Sequence, residues 1–170
     1  MLTLQSPKIP WHVQALTLDY LVDGYIDGSH DKAYFRAMDN VLYNIGLANA
    51  RFQSTGSLPA SAPETAPWAM VYGEQMVALI PFDEVSLANA VQLNNGYKVA
   101  TQAEVYAGSY LIRGTVLSYD TNGDLFQSYR CFPMQDAEIS CRLPGAQWAG
   151  LKAPFLIVMS QHKQLVLPDF

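Results

Sequence analysis

The chain has 170 residues, half of them hydrophobic and 15% charged, which is material for a folded core and too apolar for a disordered chain. Its net charge of −5 sits in residues 1–90, with four Lys/Arg against nine Asp/Glu, while residues 91–170 hold six of each; that balance disfavours sequence-independent attraction to a phosphate backbone. No apolar stretch is long enough to span a bilayer and the start does not read as a signal peptide, so a cytoplasmic protein with no membrane partner is expected.

From His12 to Asp27 the even positions carry Leu16, Leu18, Tyr20, Val22, Gly24 and Ile26, and the odd ones Thr17, Asp19, Asp23 and Asp27. This alternation predicts a long strand, or two strands meeting at a bend, with one face buried from Leu16 onward. Gly24 falls on the inward face, where a missing side chain permits curvature or close approach of backbone. Gly28-Ser29-His30-Asp31 then leads into Lys32–Leu42, where Tyr34, Met38, Val41 and Leu42 share a helical face and Asp31 suits the N-cap. A strand is predicted over Leu47–Gln53, a Pro- and Ala-rich surface loop over Ser57–Ala66, and two short strands about a turn at Gly73-Glu74. Ser86–Val91 reads as a short linking helix.

The second half restates the first. Tyr20-Leu21-Val22-Asp23-Gly24-Tyr25 returns ninety positions later as Tyr110-Leu111-Ile112-Arg113-Gly114-Thr115. Pro67-Trp68-Ala69-Met70-Val71 returns eighty-seven positions later as Pro154-Phe155-Leu156-Ile157-Val158. Leu47, Ala50 and Phe52 answer to Met134, Ala137 and Ile139. Lys98–Tyr106 and the strand from Ser109 flank a turn at Ala107-Gly108, Ala137–Leu143 is a strand, and Pro144–Ala153 is the matching loop. Only the helical segment has no copy: Asp120-Thr121-Asn122-Gly123-Asp124 predicts a tight hairpin in its place. The expected fold is therefore all-β with a minor helix, built as two tandem pseudo-symmetric small β-barrels or rolls of about five strands each. The first repeat is 1–90 with the helical insertion and linker, and the second is 91–170.

Gly114-Thr115-Val116-Leu117-Ser118-Tyr119-Asp120 resembles the first conserved block of the Sm/LSm-like family, with a glycine on the bent strand and an aspartate six residues on. Met134-Gln135-Asp136-Ala137-Glu138 resembles the strand that follows it, and Val71-Tyr72-Gly73-Glu74-Gln75-Met76-Val77 the second block. The resemblance implies a small SH3-like barrel. It does not imply uridine binding, because Tyr72 and Met159 stand where the family has the Arg of Arg-Gly, and Asn122 lies too close to Asp120. The duplicated form also resembles an uncharacterised bacterial family, from which no activity carries over.

Chemistry-bearing patterns are sparse. Asp19, Asp23, Asp27 and Asp31 share a parity, but neighbours four apart on a strand are roughly 13 Å apart, too far to share a metal ion, so a solvated outer face is expected. The Asp120–Asp124 segment starts like a calcium loop, but its glycine is misplaced and Cys131 occupies the position of the closing Glu. His12, His30 and His162 have no second ligand at metal spacing. Cys131 and Cys141 read as reduced, buried thiols rather than as a partner for His162. Trp68 aligns with Phe155 and is expected in the core, whereas Trp11 and Trp148 are either contact residues or plugs at a barrel end.

These observations lead to a non-enzymatic binding or assembly module, with no cofactor and no metal. An Sm-like RNA-binding protein is one alternative. A small-ligand binder or enzyme with a site between the two repeats is another, its candidate residues being the polar groups that differ between copies: His30, Asp31, Arg36 and Asp39. A protein partner or self-association is expected over nucleic acid, as a monomer or a twofold homodimer with Trp148 in the contact.

Overall fold

A computed structural model of the chain describes residues 11–26, 44–56, 64–97, 99–118 and 131–159, together with the backbone of 163–166. Ten strands run through them: β1 (His12–Thr17), β2 (Tyr20–Ile26), β3 (Ile45–Ser54), β4 (Glu64–Val71), β5 (Met76–Pro81), β6 (Val99–Ala107), β7 (Tyr110–Ser118), β8 (Phe132–Cys141), β9 (Leu151–Val158) and β10 (Lys163–Val166). One helix, α1 (Glu84–Leu93), links β5 to β6, and Asp83 caps it by accepting a hydrogen bond from the Ser86 backbone N–H at 2.7 Å. The predicted helix at Lys32–Leu42 and the hairpin at Asp120–Asp124 lie outside the described residues.

All the strands join one antiparallel sheet in the order β10-β6-β7-β8-β9-β5-β1-β2-β3-β4. The first five strands in sequence thus lie as β5-β1-β2-β3-β4, and the second five as β10-β6-β7-β8-β9, the same order. The registers correspond as well. Ala15 faces Val22 as Val105 faces Ile112, and Ala50 faces Ala66 as Ala137 faces Ala153. The β2–β3 ladder shifts register between Asp23 and Tyr25, and the β7–β8 ladder between Arg113 and Thr115, so each skips its glycine. Across those glycines Asn49 and Asp136 adopt φ of 51° and 49°, a left-handed conformation that Asn and Asp tolerate better than most residues. Such a residue opens a β-bulge, which bends the strand.

The buried apolar side chains fall into two clusters, each drawn mainly from one half and completed by the other. One apolar cluster gathers Val13, Ala15, Val22, Leu47, Ala50, Val71 and Leu79; another gathers Val105, Tyr110, Ile112, Met134, Ala137, Ile139 and Leu156. In a flat sheet β4 and β5 would stand roughly 19 Å apart, four strand spacings. Val71 of β4 and Met76 and Leu79 of β5 nevertheless belong to one apolar cluster.

The expectation of two small β-barrels or rolls is corrected: the strands form one continuous antiparallel sheet that is not closed. Among the described residues β4 does not pair with β5, nor β9 with β10. The free edge of β5 is taken by β9, with Ala78 opposite Val158 and Leu79 opposite Ile157, and the Met159 N–H donates to the Val77 carbonyl at 2.8 Å. An edge already paired with the other half cannot close its own roll. The predicted parity of the first strand also changes. The chain turns at Leu18-Asp19, so Val13 and Ala15 point inward while Leu18 and Tyr20 are exposed. Finally, β4 begins at Glu64, inside the segment read as loop.

Candidate functional site

Phe155, Ile157 and Met159 project from β9 and its end away from their own core and belong to the apolar cluster of the first half. Tyr110, at the start of β7, crosses in the same direction. Its phenol donates to the Thr17 carbonyl at 2.8 Å, with the Leu18 carbonyl 3.2 Å away, and accepts a hydrogen bond from the Thr55 hydroxyl. Burial pushes the Tyr110 phenol up to about 12, with the charges of Cys141 and Asp19 adding to the rise and the Thr55 hydrogen bond opposing it.

Among the described residues the corresponding side chains of the first half are exposed. Tyr20, Trp68, Met70 and Tyr72 match Tyr110, Phe155, Ile157 and Met159 in sequence and in register, yet they are 39% to 53% exposed where none of their counterparts exceeds 2%. Alternation explains the direction: on β4 Ala69 and Val71 face the first core, so 68 and 70 face out. Trp68 lies over Gly46, where an added Cβ would come 3.0 Å from the indole nitrogen. Trp68, Met70 and Tyr72 follow one another on and just beyond β4, and Tyr20 opens β2; Leu18, Tyr25 and Phe82 are also exposed in the first half, as are Val85 and Val91 on α1 and just after it begins the second half's numbering. This corrects the expectation that Trp68 is core. The sequence did match Trp68 to Phe155; it did not reveal that only Phe155 has a neighbouring half to bury it.

The remaining candidates divide plainly. His30, Asp31, Arg36 and Asp39 lie outside the described residues, as do His162 and the Asp120–Asp124 turn. Trp148 is half-buried and packs edge-on against Tyr110, ring centroids 6.0 Å apart, supporting the residue that crosses the joint. Trp11 is buried in the first core, and among the described residues Cys131, buried, and Cys141, half-buried, form no disulfide. Among the described residues no three His, Cys, Asp or Glu side chains come together to hold a metal ion.

Polar contacts sit on the outer face of β1, β2, β6 and β7. His12 Nε2 donates to Asp23 Oδ1 at 2.9 Å, and the imidazole stacks on Tyr25 with centroids 4.4 Å apart. At the matching place on the second half Arg113 Nε donates to Glu104 Oε1 at 2.7 Å, which holds the Glu104 carboxyl below the usual carboxylate range. Asp19 and Asp23 thus fall on a strand corner and an outer face, with Asp23 engaged by His12. No known protein family, no curated protein and no solved structure matches this chain.

Proposed function

We propose that the chain is a non-enzymatic binding or assembly module, two fused copies of one Sm-like, SH3-like β-roll unit over residues 1–90 and 91–170. Its working surface is the outward face of β4 with Tyr20. One observation carries the reading: residues that are buried in the second half by a neighbouring unit are exposed, and still large and apolar, in the first. A lone exposed apolar residue needs no explanation, but a contiguous row along a terminal strand marks an interaction surface. Among the described residues the outer edge of that strand pairs with no other strand, which adds hydrogen-bonding capacity to it.

The chemistry of this surface is that of protein recognition. Two aromatic rings with polar tips, an indole and a flexible thioether are enriched in protein interfaces, and the first half's acidic balance repels phosphate backbones. Native mass spectrometry of the chain recovered under non-denaturing conditions tests the proposal. Assembly at fixed stoichiometry, with itself or with another protein, supports it. A small molecule retained at one per chain, with no protein partner, would instead favour a ligand site between the halves.

A further inference from the structure

Resting on that reading, we infer that the occupant of the β4 face is a basic amphipathic α-helix of a different protein, laid along Trp68, Met70 and Tyr72. The second half supplies the template, because the counterpart row on β9 is met by a helix. α1 packs against β5 and β9, and its Ala90 belongs to the same apolar cluster as Phe155, Ile157 and Met159, with Leu87 and Leu93 packed against that cluster. On the opposite side of α1, Glu84, Asn89 and Gln92 are exposed. A single apolar stripe of the helix therefore faces the sheet.

The shapes say which helix fits. Leu87, Ala90 and Leu93 recur every third residue, so a small side chain sits between two larger ones on one face. The small centre lets the helix approach a strand that carries bulky groups, as β9 does. β4 and its end carry the same pattern of bulk, with Trp68, Met70 and Tyr72 at alternate positions and 50%, 41% and 53% exposed. The matching occupant has a Leu-x-x-Ala-x-x-Leu stripe, and the Met70 thioether adapts to its detail. An amphipathic helix laying its apolar face on such a surface is a common mode of recognition.

The charges say what borders that stripe. Glu64 opens β4, Glu74 stands two residues beyond Tyr72, and Asp19 precedes Tyr20; all three are exposed. Among the described residues from Trp11 to Asp83, Arg51 is the single Lys or Arg, against five Asp or Glu. Carboxylates thus lie near both ends of the row. A helix with Lys or Arg beside its apolar stripe complements them, and one with acidic flanks is repelled. Rim charges of this kind select the partner and speed its arrival more than they add affinity.

Fluorescein-labelled synthetic peptides of residues 83–97 test the inference against the whole chain. One carries E84K, A88K, N89K and Q92K, and a second carries A88E, N89E and Q92E; both keep Leu87, Ala90 and Leu93. A third is the lysine peptide with L87S and L93S. Anisotropy titrations are expected to show saturable binding of the lysine peptide, weakened by added salt, with the other two at least about tenfold weaker. Trp68→Ser in the chain, with far-ultraviolet dichroism unchanged, should weaken the lysine peptide by about tenfold or more, whereas Val85→Ser, on the exposed side of α1, should leave it unchanged. No saturable binding, or equal binding to the parent chain and to Trp68→Ser, would overturn the inference. Self-association in sedimentation equilibrium that is lost in Trp68→Ser would give the face to a second copy and overturn it too. If the peptides fail while native mass spectrometry finds a different protein at fixed stoichiometry that Trp68→Ser releases, the helix inference fails and the assembly-module reading stands.

Discussion

At Gly24 an added Cβ would lie 3.0 Å from both the Ala48 carbonyl oxygen and the Leu47 Cβ, and at Gly114 it would lie 2.8 Å from the Gln135 carbonyl oxygen and 3.1 Å from the Ala137 Cα. In both places the obstacle includes backbone of the adjacent bulged strand, which cannot swing aside as a side chain can. Gly24→Val and Gly114→Val are each expected to destabilise by about 1–3 kcal/mol, with Gly114 the more sensitive, measured as shifts in urea midpoint. Neutral results at both would count against matched bends. Tyr110 gives a pH-dependent test. Its folded-state value of about 12 lies above the ordinary tyrosine value near 10, so its contribution is complete below pH ~10 and is lost as pH rises towards 12. Tyr110→Phe should cost about 1–3 kcal/mol at neutral pH, since it leaves the Thr17 carbonyl and the Thr55 hydroxyl without their partner. Stability measured against pH should show less alkaline loss in that variant than in the parent chain.

Between elements, β4 and β9 make a controlled comparison. They carry matched residues in matched registers on matched neighbours, β3 and β8. Only their surroundings differ. Trp68→Lys places a charge where half the side chain already meets water, and is expected to change the stability of the single chain by no more than about 0.5 kcal/mol. Phe155→Lys places the same charge in the first half's core, and is expected to cost several kcal/mol or prevent folding, because nothing among the described residues around it is ionised to pair with it. Thermal melts of the two variants at low protein concentration check this. Similar losses for both would mean that β4 is covered in the same way as β9.

For the whole molecule, the question is whether the halves stand alone. The first core contains Phe155, Ile157 and Met159 from the second half, and the second core contains Leu16, Leu21, Val77 and Ile80 from the first. With each core completed by the other half, unfolding is expected to be a single transition, coincident by tryptophan fluorescence and by far-ultraviolet dichroism. Two separated transitions would mean that the shared contacts contribute little. The outer surface carries no excess of positive charge, and the position of the family's Arg is held by exposed Tyr72 and buried Met159. No submicromolar binding of uridine-rich RNA is expected at physiological salt, and a fluorescence-anisotropy titration that found it would restore the RNA-binding reading.

The sequence by itself determined the local devices. Alternating apolar residues placed the strands, the glycines at 24 and 114 marked the bends, and the ninety- and eighty-seven-residue offsets matched β1–β4 to β6–β9, whereas the register of β10 against β5 follows an offset of eighty-six. Those properties depend on neighbours along the chain or directly across one ladder. The bulge residues Asn49 and Asp136 were readable in principle, since Pro67 and Pro154, which lack an N–H for the ladder, stand opposite them. Only the tertiary structure decided where each half ends. Pairing β5 with β9 joins the strands into one open sheet, buries Phe155 while Trp68 is exposed, and sends Tyr110 across the joint while Tyr20 meets water. A repeat tells which residues are alike. It does not tell which copy has a neighbour, because burial belongs to the assembled sheet and not to the segment.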